Sequence, residues 1–421
     1  MLNFFRRKAA SQHTKRQPSQ SLPDAVKRGW IPVADLRAGM MVTELDRPWE
    51  ETPFLFQRFT VNTPAEIAQV QRICERVHVE YRKDQLRRQL RPPPASLGQM
   101  AKDIDTVGNV FDRARQSTSE LFNELRLTNS LNAQEVSEVV DDCVDQVLHN
   151  RDAAAWLNHI REHSAGLAEH ALGCMTVAVI IGSEDNLLRS ELRDLATCAL
   201  LHDVGKTRLP TPTTPAHRLQ GEELAHYRSH VNHGRDILLS SRELYAGAAD
   251  VAFSHHERVD GSGFPRGLDA ERIPRYAKIV AIANRYNHLL HPDDEEPCPP
   301  TRALRQLYAE RDTALDAVLV DRLIAAIGVY PPGSIVEMDN GEVALVLASN
   351  PLDRLNPRII IVLDSDKQAA RQRVLDLSLQ PGDDAGRRYA IGCGLADGSY
   401  GIQLEDFLRA GLRIEGSAPD Q

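Results

Sequence analysis

At 421 residues the chain is too long for one ordinary compact domain, and 42% hydrophobic with 26% charged residues is ordinary for a folded globular protein. A net charge of −9 excludes a general nucleic-acid binder, which would carry a basic face, but leaves room for a small anionic ligand at a metal centre. Six cysteines without a CxxC pair (Cys74, Cys143, Cys174, Cys198, Cys298, Cys393) make neither a zinc knuckle nor a disulfide framework, and read as reduced thiols in a cytoplasm.

Residues 1–27 are basic and Ser/Gln-rich, with no apolar core of a secretory signal, and are expected to be a disordered tail. No run of about 18 apolar residues occurs, so no membrane-spanning segment is expected. Residues 28–90 read as a small α+β domain. The stretch WIPVADLRAGMMVTELDRPW is strand–turn–strand, and Ile67, Val70, Ile73 and Val77 predict a helix over 64–77.

Residues 91–149 hold a linker, marked by Pro92-Pro93-Pro94, and connecting helices. There Val136, Val139, Val140, Cys143, Val144 and Val147 form an apolar stripe, suited to core packing or to a homodimer seam. Residues 150–330 are almost wholly helical in pattern. From 331 to 421 the period drops to 2, with a two-residue hairpin predicted at Asn340-Gly341 and a strand at RIIIVL, 358–363.

The helical segment carries the chemistry. His202-Asp203 closes an apolar helix, joining an imidazole to a carboxylate that can bridge two metals, and Gly205 fits a helix C′ position. Lys206 places an ammonium beside whatever phosphate those metals bind. His230 and the pair His255-His256 follow, then a tight loop with Gly261, Gly263 and Pro265; upstream, His170 lies on another apolar helix. A lone histidine on an apolar helix is more often a satisfied core residue, but this ordered set, each member on a helix or at its end, points to a metal site.

With HDVGK at 202–206, the His230 segment, HHERVDGSGFP at 255–265, YAKIVAIANRYNHLL at 276–290 and GVYPPGSIVEMDNGEV beyond, the sequence resembles the HD-GYP domain family. That family is the HD-superfamily branch that hydrolyses cyclic di-GMP; residues 30–49 resemble the small domain that often precedes it. The resemblance implies a mainly α fold: an all-helical HD metal phosphohydrolase core, a small α+β N-terminal domain and a small β-rich C-terminal subdomain. It implies two divalent ions, iron, manganese or similar. His170, His202 and Asp203 would hold one; Asp203 would bridge to a second held by His230 and His255, with His256 alongside. Lys206 would contact a phosphate oxygen, and the loop with Gly261, Gly263, Phe264 and Pro265 would shape the guanine-nucleotide side and meet protein partners.

The sequence departs from the pattern at several points. Asn284 stands where the family has an Asp ligand, Asn287 replaces a second Asp, and Phe264 stands at the Tyr of the name. An acidic run at 293–296 replaces a basic one, and Gly166 leaves no Glu for a third metal. Two readings follow: a cytoplasmic cyclic di-GMP phosphodiesterase giving the linear dinucleotide or GMP, or a degenerate domain binding the nucleotide or docking signalling proteins such as diguanylate cyclases.

Overall fold

A computed structural model of the chain describes residues 26–48, 58–61, 64–81, 97–160, 166–210, 218–241, 243–292, 298–350, 353–383 and 386–410. The basic tail up to residue 25, the three-proline run and the acidic 293–296 segment lie outside the described residues. Two compact units divide the chain, Met1–Gln89 and Leu90–Gln421.

The first unit has strands β1 (Lys27–Pro32), β2 (Met41–Leu45) and β3 (Phe59–Thr60), helix α1 (Pro64–Gln71) and strand β4 (Arg76–Tyr81), its sheet running β1-β4-β2-β3. β1 and β2 do not pair with each other; both pair antiparallel with β4 between them. The helix expected over 64–77 is shorter than its apolar spacing implied. Ile73 and Cys74 both donate their backbone N–H to the Val70 carbonyl, closing the helix, and Val77 belongs to β4. There Val77, Val79 and Tyr81 are buried in alternation, so the period has already changed from 3.6 to 2.

The second unit runs through α2 (Leu97–Thr128), α3 (Ala133–His149), α4 (Arg151–His159), α5 (Leu167–Glu184), α6 (Arg189–Leu201), α7 (Gly221–Arg228), α8 (His230–Ser240), α9 (Ala248–Ser254), α10 (Arg275–Leu290), α11 (Pro300–Glu310) and α12 (Ala317–Ile327). Strands β5 (Ile335–Met338), β6 (Val343–Ala348), β7 (Arg358–Leu363), β8 (Ala369–Asp376) and β9 (Ile391–Leu395) follow, then α13 (Leu404–Arg409). The chain is thus mainly helical, with a small sheet in each terminal region.

α5 is apolar on every side, as a helix at the centre of a core must be, and packs against α2, α3, α4, α6, α10 and α12. By length and composition it is long and apolar enough to cross a membrane, yet 78% of it is buried inside the fold. The α3 stripe from Val136 to Val147 is buried in the same core, which leaves it nothing to offer a dimer seam. α3 starts cleanly because the Asn132 side chain accepts from the Gln134 and Glu135 N–H groups.

The C-terminal strands form one antiparallel sheet, order β8-β7-β6-β5-β9. The β5–β6 connection is longer than the two-residue loop expected. Gly341 N–H donates to the Met338 carbonyl at 2.9 Å, and only Gly341 of the Asn-Gly pair has positive φ, +86°. A type I′ loop needs positive φ at both central residues; here the left-handed glycine follows the turn instead.

Trp156 on α4 joins sheet to helices. Its indole Nε1–H donates to the Leu347 carbonyl at 3.2 Å, and its ring stacks on Phe407 at 6.4 Å. Trp156→Ala leaves a large void and an unpaired carbonyl, and is expected to lower the unfolding free energy by about 3–5 kcal/mol in urea titrations.

His159, at the end of the same helix, faces the Tyr286 hydroxyl at 3.1 Å. Burial, reinforced by His291, depresses its pKa to about 3. The unfolded chain therefore takes up a proton here below about pH 6.5 that the folded chain refuses, so this contribution to stability is complete above that pH and is lost as pH falls toward 3. His159→Phe should lose less stability than the parent between about pH 7 and about pH 5, read by urea unfolding at both.

Candidate metal centre

Three of the histidines sit where helices end. His202 is the C-cap of α6, His255 the C-cap of α9, and His230 opens α8 two residues after α7 closes. The last carbonyls of a helix lack backbone partners. Each ring fills that need: His202 Nδ1–H donates to Ala199 O at 2.7 Å, His230 Nδ1–H to Tyr227 O at 2.7 Å and His255 Nδ1–H to Ala252 O at 2.8 Å. A carbonyl only accepts, so the proton is on Nδ1 and the Nε2 lone pair is left free.

Those lone pairs converge on Asp203. His170 Nε2 and His202 Nε2 lie 3.6 and 3.3 Å from Oδ2, while His230 Nε2 and His255 Nε2 lie 3.4 and 3.5 Å from Oδ1. His256 Nε2 stands 3.2 Å from His230 Nε2 on the Oδ1 side. Asp203 is 1% exposed, and His202, His230 and His255 are equally buried. The donor atoms fall into two groups, Asp203 with His230, His255 and His256, and His170 with Cys174 and His202.

Neutral imidazole lone pairs aimed at carboxylate oxygens repel unless a cation lies between them. Burial pushes the imidazoles of His170 and His256 well below their usual range, that of His255 below it, and that of His230 to about 3. Protonation is therefore not how the cluster is satisfied near neutral pH. His202 Nε2, His255 Nε2, Asp203 Oδ1 and Asn284 Oδ1 are buried and have no hydrogen-bond partner among the described residues. A set of nitrogen and carboxylate donors, desolvated and orphaned together, fits divalent metal.

Lys206 brings an ammonium to the cluster, its Nζ 2.6 Å from Asp203 Oδ2. Burial opposes both charges, but each holds the other: Asp203, helped by Lys206 and His202, stays well below the usual carboxylate range, and Lys206, helped by Asp203 and Tyr227, lies above the usual lysine value. Lys206 lies in a 3-10 turn, Val204–Arg208, that packs directly on α8. Gly205 does not sit at a left-handed C′ position. It is glycine because a Cβ would fall 1.9 Å from His230 O and 2.4 Å from Gly234 N, both backbone atoms.

Gly261, Gly263, Phe264 and Pro265 form a loop folded back on the residues that precede it. Gly261 takes φ +80°, and a Cβ on Gly263 would come within 2.3 Å of Arg258 N. Buried Glu257 clamps the loop, accepting Arg266 N–H on Oε1 at 2.8 Å and Leu268 N–H on Oε2 at 2.9 Å. Phe264 stacks on His256 at 4.6 Å with 16° between ring planes, and the Arg228 guanidinium lies over the Phe264 ring, 4.7 Å from its centroid.

Asn284 and Asn287 share one face of α10. Asn284 has a buried side-chain oxygen without a hydrogen-bond partner among the described residues, and Asn287 orients His170, its Oδ1 accepting from His170 Nδ1–H at 2.9 Å. Sequence reasoning passed over Glu257, whose role appears only once the loop folds, and Tyr227, which lends its carbonyl to His230. It also passed over His288, one helical turn beyond Asn284, whose ring lies 4.6 Å from that of His170. The spacing of Asn284 and His288 was a signal available in the sequence.

The family model described as "HD domain" matches residues 154–319, and "Domain of unknown function (DUF3391)" matches residues 30–136. The chain is 25% identical over 369 residues to "Cyclic di-GMP phosphodiesterase PA4108" of Pseudomonas aeruginosa, covering 82% of this chain and 88% of that one. It is 36% identical over 152 residues to "Cyclic di-GMP phosphodiesterase response regulator RpfG" of Xanthomonas campestris, covering 35% of this chain and 40% of that one. It is 32% identical over 167 residues to "3'3'-cGAMP-specific phosphodiesterase 2" of Vibrio cholerae, covering 39% of this chain and 31% of that one. The match spans most of the first relative but well under half of the other two. The helical segment that carries the cluster thus matches an HD-domain model, and the segment ahead of it in sequence matches the DUF3391 model.

Proposed function

We propose that the chain is a metal-dependent phosphodiesterase that hydrolyses cyclic di-GMP to the linear dinucleotide or GMP. The observation that carries this reading is the pairing of two imidazole nitrogens on each oxygen of the buried Asp203 carboxylate. That arrangement supports two divalent ions, iron, manganese or similar, bridged by Asp203. His170 and His202 are assigned to one, His230, His255 and His256 to the other, with Asn284 offering a neutral oxygen. When bound, such ions stabilise charge on phosphoryl oxygens and lower the pKa of a nearby water.

The chain's own groups do the rest. Asp203 is the single carboxylate in the donor groups, so the loaded pocket stays positive and suits a phosphodiester. Lys206 holds its charge beside Asp203, and its ammonium would bind and orient a phosphate oxygen. The loop with Gly261, Gly263, Phe264 and Pro265 lines the nucleotide side, and the Phe264–His256 stack leaves the metal-side imidazole little freedom to turn. The cyclic di-GMP and 3'3'-cGAMP named for the relatives support a cyclic dinucleotide. We also place the reaction in the cytoplasm, on the reading of the cysteines as reduced thiols. The adaptor reading is not favoured, because the histidines and Asp203 retain a complete bridging arrangement.

Asp203→Asn keeps the side chain's size and removes its charge. It is expected to release metal, read by elemental analysis, and to lower cyclic di-GMP hydrolysis by about 10³-fold or more. Equal turnover in parent and variant would overturn the assignment. Lys206→Met keeps the aliphatic stem and removes the ammonium. It should leave metal content unchanged and reduce kcat/KM by about 10²-fold, measured with manganese in excess.

A further inference from the structure

We propose that His288 is an additional metal ligand of this chain, supplying a nitrogen at the end of the site where Asn284 offers no carboxylate. The proposal rests on the metal-site reading above and goes beyond it in naming a donor outside the assigned set.

His288 follows Asn284 by four residues on α10, so the two side chains leave the same face of the helix, with Asn287 beside them. Its ring lies 4.6 Å from the His170 ring at an interplanar angle of 33°, on the side of the cluster where His170 and His202 meet Asp203 Oδ2. The ring is half-buried, and its ring contact is with His170. The other histidines of the cluster each spend Nδ1 on a carbonyl, as His202, His230 and His255 do, or on Asn287, as His170 does, or face another imidazole, as His256 does. An imidazole on the Asn284 face of α10, packed on the ring of His170, has a donor nitrogen to give.

The chemical consequence concerns which metal is held. Asn284 removes a hard, charged oxygen from this end, while His288 adds a borderline nitrogen, and the Cys174 thiol stands 3.5 Å from His170 Nε2. Nitrogen in place of carboxylate shifts preference from Mn²⁺ toward Fe²⁺, Co²⁺ and Zn²⁺. The imidazole and Asn284 together thus replace the carboxylate's lone pairs without its charge.

The test uses full-length protein stripped with chelator and titrated with Co²⁺, following visible absorbance and bound metal by elemental analysis. His288→Phe keeps an aromatic ring against His170 and removes both nitrogens. It is expected to weaken one of two bound equivalents about 10–100-fold, the effect typical of losing one metal-site partner, and to change the Co²⁺ spectrum. Asn284→Asp in the same background should restore the affinity and raise the preference for Mn²⁺ over Co²⁺. If His288→Phe proves unfolded by circular dichroism, His288→Ala, which cannot overfill the space, gives the same readout. Two equivalents bound as tightly as in the parent, with an unchanged spectrum, would falsify the proposal. Cyclic di-GMP hydrolysis is measured in parallel. Loss of metal in the variant with no hydrolysis by the parent sinks the proposed reaction alone. Parent hydrolysis with undisturbed metal in the variant sinks the role of His288 alone.

Discussion

One buried carboxylate organises the second unit. Asp203 follows the C-terminus of α6, and four imidazole nitrogens from three helix termini and the central helix approach its two oxygens. Bringing that many lone pairs to one desolvated anion is costly, and the surrounding fold is arranged to bear the cost. The helices themselves fix the tautomers, because the rings answer a need for hydrogen bonds that every helix end has. A single helical transition, α6 into a 3-10 turn, therefore places an imidazole donor, the buried carboxylate and an ammonium within five residues.

The close approach of that turn to α8 explains a second level of control. Because Gly205 lies against the backbone of His230 and Gly234, the segments that carry Lys206 and His230 are held at backbone contact rather than through side chains. Glu257 does the same for the far wall of the pocket, binding the loop's own N–H groups directly after the His255-His256 pair. The site is thus built from short continuous segments in which a ligand and its support are neighbours in sequence.

This is why so much was legible before the fold was known. Helical periodicity and the change to period 2 near residue 331 foretold a mainly α chain with small sheets at either end, and adjacent residues such as His202-Asp203 announced their chemistry together. What failed was local and has physical causes. The apolar spacing from Ile67 to Val77 satisfies a helix and a strand in turn, and only the Val70 carbonyl taking two donors shows where one becomes the other. Gly205 obeyed a familiar C-cap pattern for the wrong reason, since sequence does not reveal which backbone will press against it. His288 lay inside a quoted motif, one turn from Asn284, but its relation to His170 depends on α10 packing against α5.

That packing has a further consequence. Three of the cluster's rings take their orientation from a carbonyl in the preceding helical turn, so each is insulated from events elsewhere in the molecule. His170 is different: its partner is the side chain of Asn287 on another helix. The reading frame of α10 along α5 is therefore inscribed in one imidazole, and a slide of that helix by a single turn would turn the His170 ring away while leaving the other three in place.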